Sequence, residues 1–190
     1  MNITYEDFLD DYHEEVLDGK VIKMAPRPTF RHLDTNHNIT KIFKKNLSGC
    51  VVLSEPDVHF SKKDKVAPDV AVVCNRDILD GRVVHGAPDI VVEILSPSTS
   101  KRDRGYKKRL YQRYGVAEYW IVDTNSLTVE VYLLEDGQYN LDNIYQALSE
   151  AEFNNMSEQN KAEQAFKFKT HLWDGLIIDV YDIFKDIYEG

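Results

Sequence analysis

The sequence predicts an α/β (α+β) fold, a mixed central sheet flanked by helices, and three observations carry that expectation. Strand-like runs crowd between residues 50 and 95: "CVVLS", "DVHFS", "VAPDVAVVC" and "APDIVVEIL". A stretch of helical periodicity precedes them and a basic one follows. Two more strand-like runs, "EYWIVD" and "LTVEVYLL", come after the basic stretch. Helices alternating with strands in this order pack as layers on a mixed sheet. With 190 residues, 43% of them hydrophobic and 29% charged, residues 1–190 read as one domain with a substantial core.

Thr4 with Asp7 resembles a capping box, so a short helix is expected over residues 5–15. Asp18-Gly19 is a turn signal feeding a strand from Val21 to Met24. After "PRPT", Leu33, Ile39, Ile42, Phe43 and Leu47 recur at mostly helical spacing up to Gly49. The four strand-like runs follow. The basic segment reads as a helix capped at Ser98, Thr99 or Ser100 and stopped at Gly115. "EYWIVD" and "LTVEVYLL" are joined by a turn around Asn125. Residues 136–165 are polar and acidic, which predicts a partly helical, mobile surface excursion. "LIIDVYDIFKDIYEG" reads as a short strand or turn followed by a closing helix.

No apolar run approaches the roughly 20 residues that span a bilayer, and the acidic start lacks the basic-then-apolar order of a signal peptide. A cytoplasmic protein without membrane partners is therefore expected, in which Cys50 and Cys74 could be bridged but are read as two small buried thiols. The net charge of -9 argues against indiscriminate affinity for polyanions. Its distribution is uneven. Lys101, Arg102, Arg104, Lys107, Lys108, Arg109 and Arg113 oppose only Asp103 within 13 residues, which suits a polyanion entering one groove or simply a solvated helix face.

Glu93 lies inside a run that otherwise reads as a buried strand, and ionised carboxylates are rarely buried unless paired or metal-bound. Strand alternation puts Asp89, Val91 and Glu93 on one face and Ile90, Val92 and Ile94 on the other. If the strands of Asp69 and Glu93 are antiparallel neighbours, facing Cβ atoms come within roughly 5 Å. Two close carboxylates repel unless a cation lies between them, and Mg2+ (or Mn2+) needs only one or two protein carboxylates. The six histidines (His13, His32, His37, His59, His85, His171) show no zinc-ligand spacing, and no phosphate loop or nucleophile elbow occurs. On the basic helix, Lys107 shares an apolar stripe with Asp103, Tyr111 and Tyr114 and should face the sheet. Arg104 and Lys108 lie on another stripe, closer to solvent or phosphate.

"APDVAVV" followed by "GAPDIVVEILSPSTSKRDRGYKKRLYQRYGVAEYWIVD" resembles the Uma-type restriction endonuclease family, a branch of the PD-(D/E)xK nuclease superfamily. The similarity is strongest over residues 66–134 and extends more weakly to "LDGKVIKMAPRPTFRHLDTNHNI" and "LWDGLIIDVYDIF". It implies a restriction-endonuclease-like fold and a metal-dependent nuclease. In that pattern Asp69 and Glu93 hold Mg2+ (or Mn2+), with the Ile94 backbone carbonyl completing the ligands. Leu95 stands where the superfamily's lysine belongs, and Lys107 on the following helix takes that place to orient water or stabilise charge. Lys101, Arg102, Arg104 and Lys108 would contact nucleic acid, DNA ahead of RNA, and a homodimer would match nucleases that process two strands. Lys20 replaces an acidic residue of many relatives. Glu14 or Glu15, on the expected first helix, are candidate substitutes, and Asp89, too close in sequence to replace Asp69, is a candidate ligand at the edge of the site. The alternatives are a catalytically inactive member that binds nucleic acid or protein, and a purely structural network around Asp69 and Glu93.

Overall fold

The structure is a computed structural model in which residues 14–23 and 27–187 are described. β1 (Glu14–Leu17) and β2 (Lys20–Lys23) form an antiparallel hairpin. Its turn, Asp18-Gly19, has φ of 51° and 76°, the doubly positive geometry whose twist suits paired strands and which glycine adopts freely. The expected helix over residues 5–15 is corrected at its end, because Glu14 and Glu15 pair with Lys23 and Ile22 as strand. The rest of that helix lies outside the described residues. The strand expected from Val21 to Met24 is β2, described as far as Lys23, and Met24 is likewise outside the described residues.

α1 (Phe30–Asn46) starts where the Thr29 hydroxyl accepts the His32 N–H and has Lys44 and Lys45 in its last turn, where cations complement the helix dipole. β3 (Val51–Ser54), β4 (Asp57–His59), β5 (Lys65–Val66) and β6 (Val70–Val73) follow, then β7 (Val83–His85), which the sequence reading missed, and β8 (Ile90–Ile94). Next come α2 (Ser100–Arg102), a π-helical turn over Asp103–Lys107 and α3 (Lys108–Tyr114), which form one continuous helix. Gly115 ends it at φ 83°, a left-handed cap open to glycine without strain.

β9 (Glu118–Asp123), β10 (Thr128–Glu135) and β11 (Gln138–Gln146) form a meander. β11 corrects the expected excursion over residues 136–165, which opens with a nine-residue strand. The hairpin turn at Asp136-Gly137 supplies the register. Only then do the short helices α4 (Glu150–Asn154) and α5 (Glu158–Ala162) appear. β12 (Lys167–Thr170) and β13 (Trp173–Asp179) pair with each other before the closing α6 (Val180–Ile183).

The main sheet has the order β11-β10-β9-β8-β6-β3, and a second has the order β2-β1-β5-β4-β7. Within the main sheet only β8 and β9 are parallel, so the helix from Ser100 to Tyr114 is their crossover. Two cores cover its faces. Ile90, Val92 and Ile94 pack with Ile39 and Phe43 of α1 and with Trp120 and Phe168. Val91 and Leu95 pack with Leu110, Tyr111 and Tyr119, and with Leu17, Val58 and Val84 of the second sheet. The expected alternation along β8 thus divides the two cores.

The cysteine expectation is overturned. β3 and β6 pair with Val51 opposite Val73, so the register continues to Cys50 opposite Cys74, and the two sulfurs are bonded at 2.05 Å. Antiparallel pairing, invisible in the spacing of 24 residues, brings the thiols together.

Candidate active site

Everything at the site follows from the end of β8. Val70 faces Val92 across the β6–β8 ladder, so one more step sets Asp69 opposite Glu93. Asp69 is held from several sides. Its Oδ2 accepts the Ile94 N–H at 2.6 Å and its Oδ1 bonds His32 Nε2 at 2.9 Å. Its backbone carbonyl accepts from the Asn36 side chain and from the Glu55 N–H, both at 2.9 Å. His32 and Asn36 lie four apart on α1, so one helix face aims both at Asp69.

Glu93 reaches into the layer between β8 and the crossover helix and is 4% exposed. Its Oε1 accepts from Lys107 Nζ at 3.0 Å and from the Tyr111 hydroxyl at 2.5 Å. Lys107 is 1% exposed and also contacts Glu15 Oε1 at 2.7 Å and Asp103 Oδ1 at 3.8 Å. Asp103 Oδ1 is buried without a hydrogen-bond partner. Glu15, on β1, accepts from Arg102 Nη1 at 3.2 Å and from the Ala67 N–H at 3.3 Å. Three elements therefore converge: the end of β8, the inward face of β1 and the π turn. Such turns recur at functional sites.

Asp64 clamps the hairpin to the helix. It accepts the Asp18 N–H at 3.0 Å, the Tyr106 and Tyr114 hydroxyls at 3.2 and 2.9 Å, and Arg113 Nη2 at 2.9 Å. Burial opposes its charge, but these donors prevail and hold its carboxyl below the usual range. Through Asp64 the turn after β1, the strand of Glu15, is tied to the helix that carries Lys107.

Burial pushes the Glu93 carboxyl well up, with Lys107 pulling it down and Asp103, Asp69 and Glu15 adding to the rise. Asp103 is raised for the same reason, chiefly burial. Lys107 moves the other way to what burial alone dictates, because Glu93, Glu15 and Asp103 lock its proton in place. Burial also works against the His32 imidazolium, yet the Asp69 bond and neighbouring carboxylates raise its pKa. Glu15, Glu93 and Asp103 form an acidic cluster with Lys107 as the cation at its centre.

Asp69, Glu93, Ile94 and Lys107 line one cavity of about 930 Å3, whose rim includes Arg27, Phe30 and Arg31 on one side and Ser96 to Thr99 on the other. Among the described residues, no three His, Cys, Asp or Glu side chains form a ready-made metal cage.

The remaining candidates are placed as follows. Glu15 is in the network, on a strand instead of a helix, while Glu14 alternates outward and is exposed. Asp89 is at the opposite end of β8, where Oδ2 accepts the Cys74 N–H at 2.7 Å, so it caps β6 away from Glu93. Lys101 is exposed. Arg102 turns inward to Glu15. Arg104 forks onto Glu130 at 2.8 and 3.1 Å, and Lys108 Nζ lies 3.4 Å over the Tyr132 ring. The outward stripe is thus largely engaged within the chain. His32 and Tyr111 were not singled out by sequence reasoning as partners of the carboxylates. The signal for His32 was present, since it shares a helical face with Asn36, Ile39 and Phe43.

The molecule is of the mixed-sheet α+β class, and it shares its fold with a solved structure from Anabaena variabilis described as "a putative nuclease belonging to DUF820". The likeness has a TM-score of 0.64 at 20% identity and covers 96% of this chain and 98% of that one. The chain belongs to the Uma2 family, described as "Putative restriction endonuclease", whose model matches residues 4–161. An uncharacterized protein of Synechocystis sp., slr1290, is 37% identical over 129 residues, which span 64% of this chain and 66% of that protein's length.

Proposed function

We propose that this protein is a metal-dependent nuclease that hydrolyses nucleic-acid phosphodiester bonds, with Asp69 and Glu93 as the carboxylates for Mg2+ or Mn2+. The observation that carries the reading is the convergence of Asp69, Glu93 and Lys107 on one cavity. The description of the family points the same way.

The donor set fits a hard cation. Glu15, Asp69, Glu93 and Asp103 outnumber the cations Lys107 and Arg102 among them, and a divalent ion relieves that surplus. Ile94 supports the third ligand. The Leu95 N–H points to Val122 on β9, so the Ile94 N–H and carbonyl leave from the β6 edge. The ladder partner due there is Pro68, which has no N–H to give that carbonyl. When bound, the ion would polarise the phosphoryl oxygen and acidify a water.

The chain's own groups do the positioning. His32 and the Ile94 N–H fix both oxygens of Asp69. Tyr111 and Lys107 converge on Glu93 Oε1, which directs the carboxyl group at the cavity. Lys107 works as an ammonium, because its locked proton makes it a donor to developing negative charge and excludes it as a base.

The test is cleavage of single- and double-stranded DNA and RNA with Mg2+ or Mn2+, comparing wild type with Glu93→Ala. The expected result is cleavage that chelation abolishes and the substitution removes. Equal cleavage by both proteins would point to contamination or another site. Binding without cleavage would instead support an inactive nucleic-acid-binding member.

A further inference from the structure

We infer that the cavity takes an unpaired nucleic-acid strand, with a base stacked on Phe30 and the adjoining phosphates held by Arg27 and Arg31. The inference rests on the nuclease reading of the same cavity and narrows its substrate to single strands.

Phe30 is the first residue of α1, lines the cavity and is 68% exposed. Leu33, one turn on, is 43% exposed, so the rim carries an apolar ledge. Such a ledge beside a charged floor suits a ligand with a flat apolar face joined to an anion. Nucleotides have that chemistry, and base stacking on aromatic rings is tolerant of sequence. Arg31 adds an independent pointer. It lines the same cavity and is half-buried, and among the described residues its guanidinium has no hydrogen bond or ion pair within the chain; the Nε is buried, so the terminal nitrogens are the donors left for an incoming anion. Ser98 and Thr99 also line the cavity, with their hydroxyls bonded to Ser96 Oγ. The first turn of α1 has no acidic residue to repel a phosphate.

A duplex fits less well for two reasons. Its bases are stacked on each other and present only their edges in the grooves, so Phe30 has no face to meet. Duplex binding also draws on many phosphate contacts. The basic helix that suggested them engages Arg102 with Glu15, Arg104 with Glu130, Arg113 with Asp64 and Lys108 with Tyr132. The chain as a whole carries -9.

The experiment is fluorescence anisotropy with a short labelled mixed-sequence oligonucleotide, as single-stranded DNA, single-stranded RNA and duplex DNA, with Ca2+ replacing Mg2+ to hold back hydrolysis. Wild type should bind at least one single strand roughly tenfold or more tighter than duplex, and the two single-strand arms identify the sugar. Phe30→Ala should weaken that binding about 5- to 150-fold, the worth of one stacked base. Phe30→Trp should retain it, and thermal melts of both variants are recorded alongside, so that lost binding is read only from a variant that is still folded. Duplex bound as tightly as single strands, unchanged affinity in Phe30→Ala, or no binding at all would overturn the inference. Cleavage assays in Mg2+ separate it from the underlying reading. Phe30-dependent single-strand binding with every strand left intact would remove the nuclease and keep the strand site. Duplex cleavage undiminished in Phe30→Ala would keep the nuclease and remove the strand site.

Discussion

Lys107, itself 1% exposed, balances three carboxylates, and its removal leaves Glu15, Glu93 and Asp103 facing one another. Breaking a buried charge network in this way costs about 3–5 kcal/mol. Lys107→Ala should lose about that much stability in urea denaturation at pH 8. The loss should shrink toward pH 5, because acids with raised pKa values bind protons more readily folded than unfolded, and protonation relieves the repulsion. A second pH effect belongs to Glu118, which has no place in the proposed chemistry. Burial pushes it up to about 7, against the pull of the Trp120 Nε1–H and the His171 N–H. Its contribution to stability is present below its ordinary 4.5 and is lost as pH rises through about 7, up to about 3 kcal/mol at 1.36 per unit. Glu118→Gln should flatten that slope while leaving one N–H without an acceptor, a loss of about 1–3 kcal/mol. Urea titrations at pH 5 and 8 check both. His32→Ala should lower metal affinity about 10- to 100-fold, as loss of a ligand's supporting bond does. Isothermal titration with Mn2+ measures it.

Element by element, the sequence carried what depends on local periodicity and withheld what depends on pairing. The alternation along β8 and the inward stripe of Lys107 were legible, because strand and helix periods alone place those side chains. Glu15 was assigned to a helix, since four residues of hairpin are too short to outweigh a capping signal. The Asp136-Gly137 turn was a legible hairpin signal masked by the polar residues of β11, an edge strand with one neighbour. The Cys50–Cys74 bond depended wholly on the β3–β6 register. It closes a loop of 24 residues, which in the chain-entropy account is worth about 3 kcal/mol. Reduction should lower the urea midpoint accordingly, and a Cys50→Ser/Cys74→Ser protein should show no further response to reductant.

For the whole molecule, the distribution of charge decides more than its total. The sequence shows a strongly basic segment, but the fold turns most of its cations onto internal acids. Lys101 and Arg109 of that segment stay exposed, while Arg27 and Arg31 stand at the rim of the cavity. If Arg27 and Arg31 make the phosphate contacts, binding of a single strand should fall with salt on a shallow log–log slope, about -1 to -2. A steep slope would point to an extended basic track instead. Anisotropy titrations over a range of KCl concentrations read the slope directly.

The π turn at Asp103–Lys107 has one residue more than an α-helix would use. Each residue of an α-helix advances the chain by about 100°, so this surplus sets the rotational phase of everything on one side of it. Deleting Gly105, whose missing side chain touches nothing, would let the helix relax into regular α geometry. The same edit would rotate Asp103 out of line with Lys107 and Tyr111. Backbone regularity and site assembly therefore make opposite demands on a single glycine. A deletion that improves the hydrogen-bond ladder should part Asp103 from Lys107.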